Sequence, residues 1–256
     1  MENKISFKNQ KGTILRGFVH EPKKYNTALI FCHGFPSSAI GESATRVGKT
    51  FEKLGYLTLR FSFSGTPPSD GKFEEKLMSQ ESREIKFAID FLTKHYAFKK
   101  LVLFGHSTGA IDLALYAHKD KRITKVILGG AVSRLDEAVH YDFSDKDVRS
   151  FWKKGYITYD KPGKWVHKKR LKRTFYDEFF TLNVLNAIKK LRRSLLIIHG
   201  EKDELIPVNK DPHEVYEAAN RPKKLVIIKG ADHSFSGKKH WNQVVKGIKT
   251  FVEKTT

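Results

Sequence analysis

The 256-residue chain has a single cysteine, Cys32. One thiol excludes an intramolecular disulfide and any cysteine-built metal site. No stretch approaches the roughly 18 uninterrupted apolar residues that a membrane-spanning helix requires. The first residues, MENKISFKNQKG, lack the apolar core of a secretion signal, so a cytoplasmic location is expected. Acidic residues are short as well: 28 Asp and Glu face 48 Lys and Arg, a formal net charge of +20. That excess would suit a polyanion partner. No groove-reading motif accompanies it, so a solvated lysine surface is expected and no specific nucleic acid. At 39% hydrophobic and 30% charged residues, disorder, collagen and coiled coil are excluded as the main state. A chain of this length buries roughly 70–75% of its unfolded surface and needs no covalent staples.

What is present is an alternation. Segments 4–7 and 13–19 flank the turn Asn9-Gln10-Lys11-Gly12 and read as a hairpin. Continuous apolar runs at 28–32, 101–104, 126–128, 195–198 and 225–228 read as strands buried on both faces, and 57–63 reads as a further strand. Between them lie helical stripes: Ala44, Val47, Phe51 and Leu54; then Ile85, Ala88, Ile89 and Leu92; then the buried-looking run 110–117. Trp241, Val244, Val245, Ile248 and Phe251 form a last one. Strand–helix alternation of this kind predicts an α/β fold with a mostly parallel sheet covered on both faces. Such sheets bind ligands at the carboxyl ends of their strands.

Residues 133–182 interrupt the rhythm. They hold no comparable apolar run, yet 11 of the 50 are aromatic, against 12% for the whole chain. The composition predicts a compact cap inserted into a core made of residues 1–132 and 183–256. Trp152 and Trp165 are candidate substrate contacts in it. The basic run 167–173 lies in the same segment and is expected to be solvated.

Gly105-His106-Ser107-Thr108-Gly109 fits G-x-S-x-G and stands directly between a buried strand and a helix. That placement is what a nucleophilic serine on a sharp, strained turn requires, with glycines making room. A serine hydroxyl needs a base. Two late strands end in His199-Gly200-Glu201-Lys202-Asp203-Glu204 and in Gly230-Ala231-Asp232-His233. His233 is the expected base, and Asp203, Glu201 or Glu204 the carboxylate that orients it. Asp232 adjoins the histidine and suits a turn better. His33, His106 and His199 read as structural. An oxyanion hole needs two amide donors; Thr108 and Phe35 are placed to supply them, and Pro36 has no N–H.

With these motifs the chain resembles the α/β-hydrolase superfamily. Within it, it is similar to the small, capped, serine aminopeptidase-like cinnamoyl and feruloyl esterases. The resemblance rests on HGF at 33–35, RFSFSG…SDGKFE at 60–74, GHSTG at 105–109, HGEKDELIP at 199–207 and GADHSF at 230–235. It implies Ser107, Asp203 and His233 as the triad of an ester hydrolase that works without cofactor or metal. It implies a cap shaping an aromatic acyl pocket, with Asp136 and Tyr176 at the positions that bond a substrate ring hydroxyl. The expected substrate is a small-molecule ester with an aromatic or hydrophobic acyl group, aromatic diesters such as terephthalates included, and the expected assembly a monomer or homodimer. A thioesterase, monoacylglycerol lipase or peptidase would use the same triad. A non-catalytic polyanion-binding protein is the remote alternative. Two departures bear on substrate: Pro67-Pro68 in the loop after the fourth strand, and Thr108 where feruloyl esterases often have Gln.

Overall fold

The computed structural model describes residues 2–254. In chain order the elements begin with β1 (Glu2–Lys8), β2 (Ile14–His20), β3 (Thr27–Cys32), α1 (Glu42–Lys53), β4 (Tyr56–Phe61) and α2 (Met78–His95). There follow β5 (Lys100–His106), α3 (Thr108–Ala117), β6 (Lys125–Gly129), α4 (Leu135–Asp142), α5 (Asp145–Lys154), β7 (Tyr156–Thr158) and β8 (Arg170–Lys172). The chain continues through α6 (Arg173–Asp177), α7 (Val184–Lys190), β9 (Ser194–Gly200), α8 (Asp211–Ala218), β10 (Lys223–Ile228) and α9 (Lys238–Glu253).

Eight strands form one sheet in the order β1-β2-β4-β3-β5-β6-β9-β10. The six strands from β4 to β10 are parallel; β2 joins β4, and β1 joins β2, antiparallel. Side chains alternate across a strand, so each apolar run feeds two cores. Leu29, Phe31, Val102, Phe104, Leu196 and Ile198 meet α1 and α9 through Val47, Phe51, Trp241 and Ile248. Ala28, Ile30, Leu101, Leu103, Leu195 and Ile197 face α2, α3, α7 and α8. Strands buried on both faces favour unbroken apolar runs, as in β3, β5, β6 and β9; β4 departs from this, with Thr58 and Arg60 buried among its apolar residues.

From β3 the chain moves outward to β4, then crosses back to β5 on the other side of β3. The loops after β3 and β5 therefore diverge and open a crevice at the carboxyl edge, where such sheets take ligands. Helix α2 begins at Met78, ahead of its apolar stripe, because Glu81 and Glu84 are buried on its inner face. α7 and α8 have only seven and eight residues; α7 buries the stripe Val184, Ala187 and Ile188, and α8 buries Val215.

Segment 133–182 folds as α4, α5, the β7–β8 hairpin and α6. A capping box between Ser144 and Asp147 starts α5, and Gly155 at φ 78° ends it. Its rings pack on one another: Phe143 lies 5.2 Å from Phe151 and 5.7 Å from Phe179, and Phe151 stacks on Tyr176 at 5.1 Å. Most of its buried rings thus pack on one another, in a cluster continuous with the core on the α2–α3 side of the sheet. No described helix is long and apolar enough to cross a membrane.

Candidate active site

Ser107 joins β5 to α3 at φ 56°, ψ −126°, a conformation that L-residues avoid. The surrounding structure enforces it. A Cβ on Gly105 would stand 2.3 Å from the Gly109 carbonyl oxygen, so only glycine permits so tight a strand-to-helix turn. Ser107 N–H donates to Gly129 O at 2.9 Å, pinning the elbow to β6.

The loop after β3 approaches as closely. A Cβ on Gly34 would lie 2.8 Å from the Ser107 Cβ. Beside it, the Phe35 amide makes no hydrogen bond among the described residues. Thr108 is the first residue of α3, so its amide has no intrahelical acceptor. Two unengaged donors thus flank Ser107, as an oxyanion hole requires. The Phe35 ring is held by a stack on Phe73 at 5.8 Å and by Tyr159 at 5.4 Å, and Trp165 Nε1 donates to Pro36 O at 2.7 Å.

The late loops converge on one histidine. His233 Nδ1–H donates to Asp203 Oδ2 at 2.8 Å, leaving Nε2 as the free basic nitrogen. The Asp203 side chain is fully buried and accepts three hydrogen bonds, one of them from His233. Its Oδ1 accepts the amides of Leu205 (3.0 Å) and Ile206 (2.9 Å), and its Oδ2 also lies 3.2 Å from His199 Nε2. The other two candidate acids serve the backbone of the histidine loop. Glu201 accepts from Gly230 N (2.8 Å) and Glu204 from His233 N (3.1 Å). Asp232 accepts from the Ser236 amide and hydroxyl and shapes a turn.

Burial alone raises the Asp203 pKa; the hydrogen bond and charge of His233, the Ile206 amide and His199 outweigh it, and the net shift is downward. Burial drives His33 and His106 to about 3, with Lys76 adding to the effect at His33 and His233 at His106. Burial also lowers His199. These three rings stay neutral and structural: His106 Nε2 donates to His233 O at 2.9 Å, and His199 Nε2 to Ile206 O at 3.1 Å. The Cys32 thiol is buried and its pKa raised well above normal by desolvation, so it is not a reactive thiolate.

A cavity of about 290 Å³ opens beside Ser107 and His233. Its walls are Phe31, Phe35, Phe104, Phe235 and Trp241, with Arg46 at its edge. This apolar wall comes from the core and the loop after β3. Of the expected cap contacts, only Trp165 adjoins the site, through Pro36. Asp136 is exposed, 3.7 Å from Arg134, and borders a separate cleft. Trp152 is 60% exposed under Arg173. Tyr176 is buried in the segment's own ring cluster. These three are not brought to the cavity, because helices α4, α5 and α6 turn them to solvent or inward.

Asp142 and Tyr159, in the same segment, are residues that composition did not single out. Solvent reaches Asp142, but protein crowds it closely enough to raise its pKa, an effect that the charges of His233 and Lys161 oppose. Burial also raises Tyr159, with Asp142 contributing. No motif marks either; only the fold brings the charge of His233 to bear on Asp142 and that of Asp142 on Tyr159. Among the described residues no cluster of three or more His, Cys, Asp or Glu is arranged to hold a metal.

A strained serine at the switch point of a parallel sheet, faced by a carboxylate-held histidine, defines an α/β-hydrolase. Within that class the chain belongs to the serine aminopeptidase S33 hydrolase family, whose model matches residues 23–178. It is related to the mitochondrial palmitoyl-protein thioesterase ABHD10 of Bos taurus, 21% identical over 91% of this chain and 75% of that one. The fold matches Est1E from Butyrivibrio proteoclasticus with ferulic acid bound, at TM-score 0.79 and 22% identity over 97% of both chains. It also matches mouse alpha/beta hydrolase domain-containing protein 10, at TM-score 0.78 and 19% identity over 99% of this chain and 100% of that one. The protein is thus a hydrolase related to esterases and to that thioesterase.

Proposed function

We propose that the protein hydrolyses carboxylic esters with an aromatic or hydrophobic acyl group, through a Ser107–His233–Asp203 triad and an acyl-enzyme. The observation that carries this reading is one cavity containing both the strained Ser107 and a His233 whose Nδ1 is held by Asp203. Ser107 Oγ attacks the carbonyl carbon while His233 Nε2 takes its proton. The amides of Phe35 and Thr108 receive the charge that develops on oxygen. The C–O bond breaks, His233 protonates the leaving alcohol, and water then releases the acid by the same steps in reverse. Asp203 holds the tautomer and stabilises the imidazolium.

The aromatic walls of the cavity support a planar or apolar acyl group, with feruloyl-type esters foremost. Residues 133–182 act as the cap in this reading, touching the oxyanion loop through Trp165 and Tyr159. Asp142 and Tyr159 would receive a ring hydroxyl. A thioesterase is the second reading, favoured by the kinship to ABHD10; the same attack breaks a C–S bond.

The test is hydrolysis of methyl ferulate beside p-nitrophenyl acetate, butyrate and laurate, in wild type and Ser107→Ala. A loss of at least about a thousandfold in kcat is expected for the variant. Wild type inert on every ester but active on acyl thioesters would move the assignment to the second reading. Equal kcat/KM for acetyl and cinnamoyl esters would remove the aromatic pocket.

A further inference from the structure

A second groove shares Pro36, Ser37, Ser43, Arg46 and Ser234 with the cavity at Ser107 and continues outward to Lys161, Lys164 and Trp165. The inner space is apolar. The outer one is lined by three cations, by serine hydroxyls and by a single carboxylate, Glu42.

Arg46 stands where the two meet. Its Nη1 and Nη2 donate to the carbonyls of Phe235 (3.2 Å) and Ser234 (2.9 Å), and its guanidinium lies 4.4 Å from the Trp241 ring centroid. Its Nε is buried and has no acceptor. Burial lowers the Arg46 pKa, and only the more distant charges of Glu42 and Asp232 oppose that. Asp232 is itself engaged by Ser236, and Asp142 lies near Lys161. A guanidinium whose Nε–H lacks an acceptor, two lysines and several hydroxyls make a surface that recognises phosphate.

Resting on the proposed acyl-enzyme reading, we infer that this groove binds a phosphate carried by the leaving group of an ester or thioester substrate. The enclosed apolar cavity suits the acyl part, which remains on Ser107. The open basic groove suits the part that departs into solvent. Ser107 Oγ bonds to the carbonyl carbon, the C–O or C–S bond breaks, and the proton taken by His233 passes to the departing oxygen or sulfur. The phosphate takes no part in the chemistry; it supplies binding energy remote from the reacting bond.

The probe is a matched pair of thioesters: S-butyryl-N-acetylcysteamine, which is neutral, and S-butyryl-phosphopantetheine. The ratio of their kcat/KM values should favour the phosphorylated substrate by about tenfold or more at low salt and fade toward 0.5 M, a concentration at which surface charges are largely screened (about 8 Å Debye length at 0.15 M, shorter above it). Lys161→Glu with Lys164→Glu should lower that ratio about tenfold. Lys189→Glu with Lys190→Glu makes the same charge change on α7 and should leave it in place. A wild-type ratio near one, or an equal fall in the α7 variant, overturns the inference in favour of the general +20 field. If neither thioester is hydrolysed, the thioesterase reading fails on its own. The groove is then judged by calorimetry: phosphopantetheine must bind more tightly than pantetheine and lose that margin in Lys161→Glu/Lys164→Glu, and equal binding overturns it.

Discussion

Two aspartates, both fully buried and both close in sequence to a catalytic-site loop, live in opposite surroundings. Asp203 gathers three donors, and its pKa falls despite burial. Asp112, on the helix that follows Ser107, has no hydrogen bond on either oxygen. Burial raises its pKa well above normal, and Glu81, Glu178 and Glu84 raise it further against Lys76. Glu81, in a buried ion pair with Lys76, is pushed up to about 7 by the same desolvation. Burial therefore does not decide whether a carboxyl is charged; the donors around it do. Asp203 is equipped to stay an anion and orient a base. Asp112 is equipped to stay a neutral acid.

The largest test of that contrast is Asp203→Asn, which keeps the shape and removes the charge. With an amide unable to select the Nδ1–H tautomer, kcat should fall about 10⁴-fold in steady-state assays. A loss under tenfold would mean that Glu201 or Glu204 orients the ring.

Asp112→Asn should do the reverse and stabilise. Because folding raises the Asp112 and Glu81 pKa values, the folded chain holds more protons than the unfolded one above about pH 4. Stability from these groups is thus present in acid and lost as pH rises through the window from about 4 to 7 and beyond. Calorimetry should show the variant melting about 2–8 °C above wild type at pH 8, with the gain gone at pH 4. Asp203 carries the opposite sign: its lowered pKa stabilises above about pH 4, and that contribution is lost as pH falls below it. A destabilised Asp112→Asn at pH 8 would mean that its carboxylate is needed.

Asp142 lies between the extremes, crowded yet wetted. Asp142→Asn should raise KM for methyl ferulate about five- to tenfold, the worth of one hydrogen bond to a phenol, and leave methyl cinnamate alone. Equal changes in both would remove it from ring recognition. The smallest effect is expected at exposed Asp136. Asp136→Asn should change stability by less than about 0.5 kcal/mol and ferulate kinetics by less than twofold; a larger change would return it to the site.

The sequence exposed the elbow at 105–109 because strand, nucleophile and helix must be contiguous there. The same holds for the β3 loop: a glycine must precede the Phe35 amide where the backbone passes within van der Waals contact of Ser107. The choice among Glu201, Asp203 and Glu204 was open to residue patterns, since all three follow the same strand. Geometry separates them: one side chain reaches the imidazole and the other two reach amides.

Reading failed most in 133–182. Aromatic composition there pointed to a cap and the resemblance to a pocket shaped by it, but rings also satisfy one another, and a short segment with little aliphatic content packs largely through them. Tyr176 turns away from the cavity for that reason, while Trp152 and Asp136 face solvent. The basic groove was equally hidden, since Arg46 and Lys164 are far apart in sequence. By itself the sequence determined the parallel sheet, the strained serine and the late-loop histidine, because each depends on local periodicity or contiguity. Only the tertiary structure decided which carboxylate meets His233, which walls enclose the acyl cavity and where the positive charge collects, because those are distances between segments that only folding brings together.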